Sequence, residues 1–198
     1  KNPITRDDMV TLKRKILKLY RRNRLISPLD ESYGTIGDRM IKDPIFNIYG
    51  DPLMETLLLK LKSLMEDITQ IELIPTYTYS RIYEKGCRLH RHKDRDACEV
   101  STTMNLGGDP WPIYLDPTNT ELHPEKTPYK ILGNKGVKVD LKSGDMLVYR
   151  GCQLEHWRNK FKGKECAQVF LHYNRASDPT RLYDERIYLG MPRRCKKQ

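Results

Sequence analysis

The sequence has no run of apolar residues long enough to span a bilayer, and its first residues, Lys1 to Asp8, hold no apolar stretch of the kind that drives secretion. These absences predict a soluble chain without a membrane partner. No CxxC pair is present, and the five cysteines (Cys87, Cys98, Cys152, Cys166 and Cys195) are an odd number. That excludes a simple disulfide framework and a cysteine-rich zinc site, so reduced thiols and a cytoplasmic location are expected. Internal repeats, low-complexity tracts and Pro/Gly/Ser linkers are also missing. One domain over residues 1–198 is therefore expected.

The chain does carry positive charge, at its ends. Its net charge is +10, yet residues 1–24 and 181–198 alone hold a surplus of eleven, which leaves residues 25–180 at −1. Basic ends allow an acidic or nucleic-acid partner, and solvated helix faces are the plainer reading. A mean hydropathy of −0.71 with 38% hydrophobic residues is polar but compatible with a packed core.

Residues 1–70 read as a helical buttress. Met9, Leu12, Ile16, Leu17 and Tyr20 recur at helical spacing among lysines and arginines. Asp51-Pro52 reads as a cap and first turn ahead of Leu53, Leu57, Leu59, Leu61 and Met65. Residues 71–175 change texture: Ile74–Tyr83, Cys98–Leu106, Pro112–Leu115, Gly136–Leu141, Met146–Tyr149 and Cys166–Tyr173 are short strands between turn signals. This predicts a mainly β fold, a jelly roll with helices packed outside one sheet, followed by an extension over 176–198. In Glu99–Leu106, Ser101 and Thr103 share one face while Val100, Met104 and Leu106 share the other. In Cys166–Asn174, Gln168 and His172 alternate with Ala167, Val169, Leu171 and Tyr173. An apolar face for the helices and a polar face for a cavity are implied.

His92 and Asp94 stand two residues apart, so on an extended segment both point the same way. His156, after the Met146–Tyr149 strand and a tight corner, is the best second imidazole. Two histidines and one carboxylate leave open positions on a metal, the arrangement of non-haem Fe(II) oxygenases. Taken alone, an HxD triplet reads equally well as an exposed polar turn, and His156 as a partly buried neighbour of Trp157. His90 lacks a carboxylate partner at i+2. His123, in a proline-rich loop, and His172 read as non-ligands, with His172 facing the cavity as an alternative.

Together, Tyr83-Glu-Lys-Gly-Cys-Arg-Leu-His-Arg-His92-Lys-Asp94-Arg, the strand Cys98–Leu106, Ser143-Gly-Asp-Met-Leu-Val-Tyr149 and Glu155-His156-Trp resemble the prolyl 4-hydroxylase-like branch of the 2-oxoglutarate/Fe(II) dioxygenases. The likeness is greatest to small phage and marine bacterial members, and it covers about residues 72–175. It implies a double-stranded β-helix core in which His92, Asp94 and His156 are both the metal ligands and the catalytic centre. It also implies Fe(II), 2-oxoglutarate and O₂ as cofactor and co-substrates, with ascorbate as an accessory reductant. A peptide or protein substrate, with proline as target, would be hydroxylated as succinate and CO₂ are released in the cytoplasm of a bacterial or phage-infected cell. Tyr83 would line the co-substrate pocket, or simply pack in its strand.

At the start of the last core strand the family places an Arg or Lys that holds the distal carboxylate of 2-oxoglutarate. Here that position is Cys166, which cannot do so. Lys164, of the right parity, is the preferred substitute, with Arg158 and Arg175 as alternatives and Thr103 and Gln168 as neutral helpers. Two other functions remain open: a nucleic-acid-modifying oxygenase that uses the basic ends, and a non-catalytic jelly-roll binding or structural module.

Overall fold

The computed structural model describes residues 4–23, 35–38, 41–118 and 135–190, with the backbone alone between 19 and 44. His123 and Cys195 lie outside the described residues, as does the side chain of Tyr20. Helix α1 (Arg6–Asn23) starts at a reciprocal cap: Asp8 N–H donates to Thr5 Oγ1, and Thr5 N–H donates to an Asp8 carboxylate oxygen. Its Met9, Leu12 and Ile16 are buried, as the periodicity predicts. Helix α2 (Pro52–Thr69) is capped by Asp51, whose side chain accepts from Leu53 and Met54 N–H. Its buried stripe is Met54, Leu57, Leu58, Leu61 and Met65. Leu59 is half exposed, because at 100° per residue it turns away from that stripe.

Ten strands follow or interleave: β1 (Thr35–Asp38), β2 (Ile41–Tyr49), β3 (Leu73–Glu84), β4 (Leu89–His92), β5 (Val100–Gly108), β6 (Ile113–Asp116), β7 (Val137–Val139), β8 (Met146–Tyr149), β9 (Glu155–Arg158) and β10 (Glu165–Arg175). They form a major sheet in the order β1-β2-β3-β10-β5-β8 and a minor sheet in the order β4-β9-β6-β7. All pairings are antiparallel. This is a double-stranded β-helix with helices on one face, the architecture the sequence implies. The front third is not wholly helical, however. β1 and β2 form a hairpin that extends the major sheet beside β3. Pro44 interrupts the β2 pattern and hides the strand from a periodicity reading.

The alternation read from the sequence sets the two faces of the major sheet. Val100, Met104, Leu106, Ala167, Val169 and Leu171 join α1 and α2 in one apolar cluster. On the opposite face Tyr83, Cys166 and Phe170 pack with Trp111 and Phe161 in a second cluster. Among them the polar side chains of Ser101, Thr103, Gln168 and His172 are all buried. A polar strip between two sheets, walled by apolar residues, is where the site lies. Residues 176–190 then run back across β3 and end the described chain. No described helix is long and apolar enough to cross a membrane.

Candidate metal centre

β4 and β9 are adjacent antiparallel strands, and their register sets His92 opposite His156. Directly opposed residues share a face, so both imidazoles point inward, with ring centroids 4.3 Å apart. Asp94 lies two residues beyond His92, where the chain leaves the strand, and its N–H donates to Gly151 O at 2.9 Å. Its Oδ1 is 3.6 Å from His92 Nε2 and 3.5 Å from His156 Nε2. One donor atom from each of the three residues falls within 4.8 Å of the others, which is room for a single ion between them.

The imidazoles are oriented for a ligand role. His92 Nδ1 faces His90 O at 2.7 Å and His156 Nδ1 faces Leu154 O at 3.0 Å. Each Nδ1 donates to its carbonyl, which leaves each Nε2 lone pair directed at the shared centre. Burial lowers the pKa of His92, and His156 beside it pushes the same way. Burial opposes ionisation of Asp94, yet His156 and then His92 outweigh it and hold the carboxyl well below its ordinary range. Asp94 is thus held as a carboxylate, whereas His156 is raised by that carboxylate against the lowering by burial, so a divalent metal would take the place of its proton.

A second layer holds Asp94. Ser101 Oγ donates to its Oδ2 at 3.0 Å and also meets His172 Nδ1 at 2.9 Å. His172 faces the cavity as a support to the carboxylate, with a pKa pushed down to about 4 by burial. Tyr149 sits edge-on to His156, ring centroids 4.8 Å apart. Sequence reasoning did not single out Ser101, Tyr149 or Gly151, although the strand parity of Ser101 was the available signal. A Cβ on Gly151 would come closer than 3.0 Å to Ser101 Oγ, to an Asp94 carboxylate oxygen and to Cys98 O. Gly151→Ala is therefore expected to displace Asp94 and weaken Mn(II) binding by about 10-fold or more, read from the free Mn(II) signal in a titration.

The opposite end of the strip holds Arg158. It shares the inward face of β9 with His156 two residues away, so their Cα atoms are separated by roughly 7 Å. Its side chain is fully buried and forms no ion pair among the described residues. Nη2 donates to Thr103 Oγ1 at 3.1 Å and to Gln168 Oε1 at 3.4 Å, Nη1 donates to Trp111 O, and Nε has no partner. Tyr83 is buried against the edge of Trp111 beside this guanidinium, ring centroids 4.7 Å apart. Arg158, Thr103, Gln168 and Tyr83 thus come together as one buried cluster.

Lys164 does not join them. It lies before the first residue of β10 with an exposed side chain, and its N–H is tied to Asp109. Parity alone favoured Lys164, but the strand begins one residue too late to carry it inward. Arg175 is likewise outside, paired with Glu99. Cys166 is fully buried beside this cluster, with Gln168 Nε2 3.1 Å from its Sγ.

An unpaired guanidinium removed from water is costly, and an anionic ligand would offset that cost. The residues present therefore fit a divalent metal at His92, Asp94 and His156 and an anionic group at Arg158.

Neither a protein-family model nor a curated protein matches the sequence. Solved structures do match. AviO1 from Streptomyces viridochromogenes Tue57 superposes with a TM-score of 0.67 at 15% identity, covering 90% of this chain and 89% of its own. A Pseudomonas putida prolyl-4-hydroxylase gives 0.56 at 16% identity, covering 88% and 89%. HygX from Streptomyces hygroscopicus, solved with nickel, 2-oxoglutarate and hygromycin B, gives 0.61 at 12% identity, covering 88% and 81%. The chain has the double-stranded β-helix fold of the 2-oxoglutarate/Fe(II) oxygenases.

Proposed function

We propose that the protein is an Fe(II)/2-oxoglutarate-dependent oxygenase that hydroxylates a peptide or protein side chain, with a prolyl residue as the preferred target. The observation that carries the class is the convergence of His92, Asp94 and His156 on one point, one strand-face step from the buried, unpaired Arg158. Bound iron would supply the oxygen chemistry, coupling decarboxylation of 2-oxoglutarate to succinate with transfer of one oxygen atom into a substrate C–H bond.

The chain's own residues do the rest. Two imidazoles and one carboxylate on one side of the ion leave the other side for ligands. Arg158 grips the distal carboxylate with guanidinium donors, Thr103 and Gln168 fix that guanidinium, and Trp111 and Tyr83 keep water from it. Ser101 holds Asp94 in place from behind.

The choice of a prolyl target rests on the sequence resemblance and on the likeness to the Pseudomonas hydroxylase. HygX, with its bound hygromycin B, keeps a small-molecule substrate in view. The test is a screen of proline-containing peptides with Fe(II), 2-oxoglutarate and ascorbate. A peptide is expected to gain the mass of one oxygen in step with succinate. Oxygen gain by an oligonucleotide or an aminoglycoside, with none by any peptide, would replace the prolyl reading.

A further inference from the structure

The loop that carries Asp94 is gripped by the C-terminal segment. Tyr183, Asp184 and Glu185 are consecutive non-glycine residues at φ of 51°, 55° and 64°. L-residues disfavour this left-handed region, so such a run persists only where its surroundings over-determine it. Two buried anchors do so here. Asp184 accepts from Nη1 and Nη2 of Arg95, each at 2.6 Å, and from Tyr49 OH at 2.5 Å. Arg186 pairs with Glu55 at 2.6 Å, both side chains almost wholly buried, and donates to Thr76 O.

The first anchor leads to the metal site. Arg95 immediately follows Asp94, and its guanidinium lies 4.3 Å over the Tyr77 ring. Tyr77 in turn packs on His172, ring centroids 4.5 Å apart, and His172 meets the Ser101 hydroxyl that donates to Asp94. Cys152 Sγ donates to Arg95 O at 3.0 Å and pins the same backbone. Asp94 is thus held by its peptide neighbour and by a packed chain of side chains, and both routes begin at Arg95. The Arg95 side chain is 36% exposed, so its bidentate bond to Asp184 is what keeps it over Tyr77 rather than in solvent.

We propose that Asp184 is a positioning residue for the metal centre: it fixes Arg95, and Arg95 fixes the Asp94 carboxylate in its ligating orientation. The inference rests on the metal reading above. Groups behind a metal ligand commonly change affinity by roughly 10–100-fold when removed.

Mn(II) titration of the whole protein, followed by the signal of free Mn(II), tests it. Asp184→Asn is expected to weaken binding by about 10-fold or more while far-UV dichroism stays that of the wild type. Arg95→Lys keeps a cation and loses the bidentate grip, and is expected to weaken binding in the same direction. The double variant is expected to be no worse than the weaker single one, because both changes break one link. Leu57→Ala, a truncation on the helix face of the major sheet, is expected to lower the melting temperature and leave affinity within about twofold. Equal losses in Leu57→Ala and Asp184→Asn would reduce Asp184 to a structural role. Wild-type-like affinity in folded Asp184→Asn overturns the positioning role. Should that variant fail to fold, unchanged affinity in Arg95→Lys overturns it. A wild-type protein that binds no Mn(II) overturns the metal reading itself.

Discussion

Asp94→Ala and His156→Ala are each expected to abolish iron-dependent formation of succinate. The loss should exceed by far the roughly 10–100-fold typical of groups behind the ligands. Asp94 is the only anionic donor of the set, and its Oδ1 is within 3.6 Å of both facing imidazole nitrogens. Without it, two neutral rings face a divalent cation with nothing to balance its charge. The variants should still fold, because the two sheets are held by strand pairing and apolar clusters that these side chains do not supply. Succinate measured after incubation with Fe(II) and 2-oxoglutarate, beside a dichroism spectrum, checks both halves. Retained turnover in Asp94→Ala would mean that the metal is held elsewhere.

Arg158→Met is expected to act in two opposite directions. The apparent 2-oxoglutarate requirement should rise by roughly 30- to several thousand-fold, as when one member of a buried charge pair is removed at about 2–5 kcal/mol. The ligand-free protein should become more stable by about 1 kcal/mol or more, since Met fills much of the space without a buried charge or an unpartnered Nε. Urea unfolding without 2-oxoglutarate reads the second effect, and the concentration dependence of succinate formation reads the first. Lys164→Ala, at an exposed position, should change the 2-oxoglutarate requirement less than about twofold. Reversal of that order between Arg158 and Lys164 would relocate the carboxylate grip.

Much of this arrangement was legible in the chain itself. The alternation in Glu99–Leu106 and Cys166–Asn174 gave the two faces of β5 and β10, because a sheet with helices on one side imposes a period of two. HxD and a distal histidine were readable because ligands close in sequence or next to a strand corner leave a local signature. β1 and β2 were not, since Pro44 breaks the pattern that marks a strand. The choice between Lys164 and Arg158 needed the first residue of β10 and the register of β9 against β4, and neither is written in spacing alone. The link from Asp184 to Asp94 joins residues ninety positions apart through Arg95, so only the folded chain reveals it.

Crystals grown without oxygen in the presence of Mn(II) and 2-oxoglutarate test the assignment of the metal ligands and of the carboxylate grip together. One ion is expected, bound by His92 Nε2, Asp94 Oδ1 and His156 Nε2, with the far carboxylate of 2-oxoglutarate on the Arg158 guanidinium. An ion seated away from these three side chains, or a co-substrate carboxylate held by Lys164 with Arg158 untouched, would contradict it.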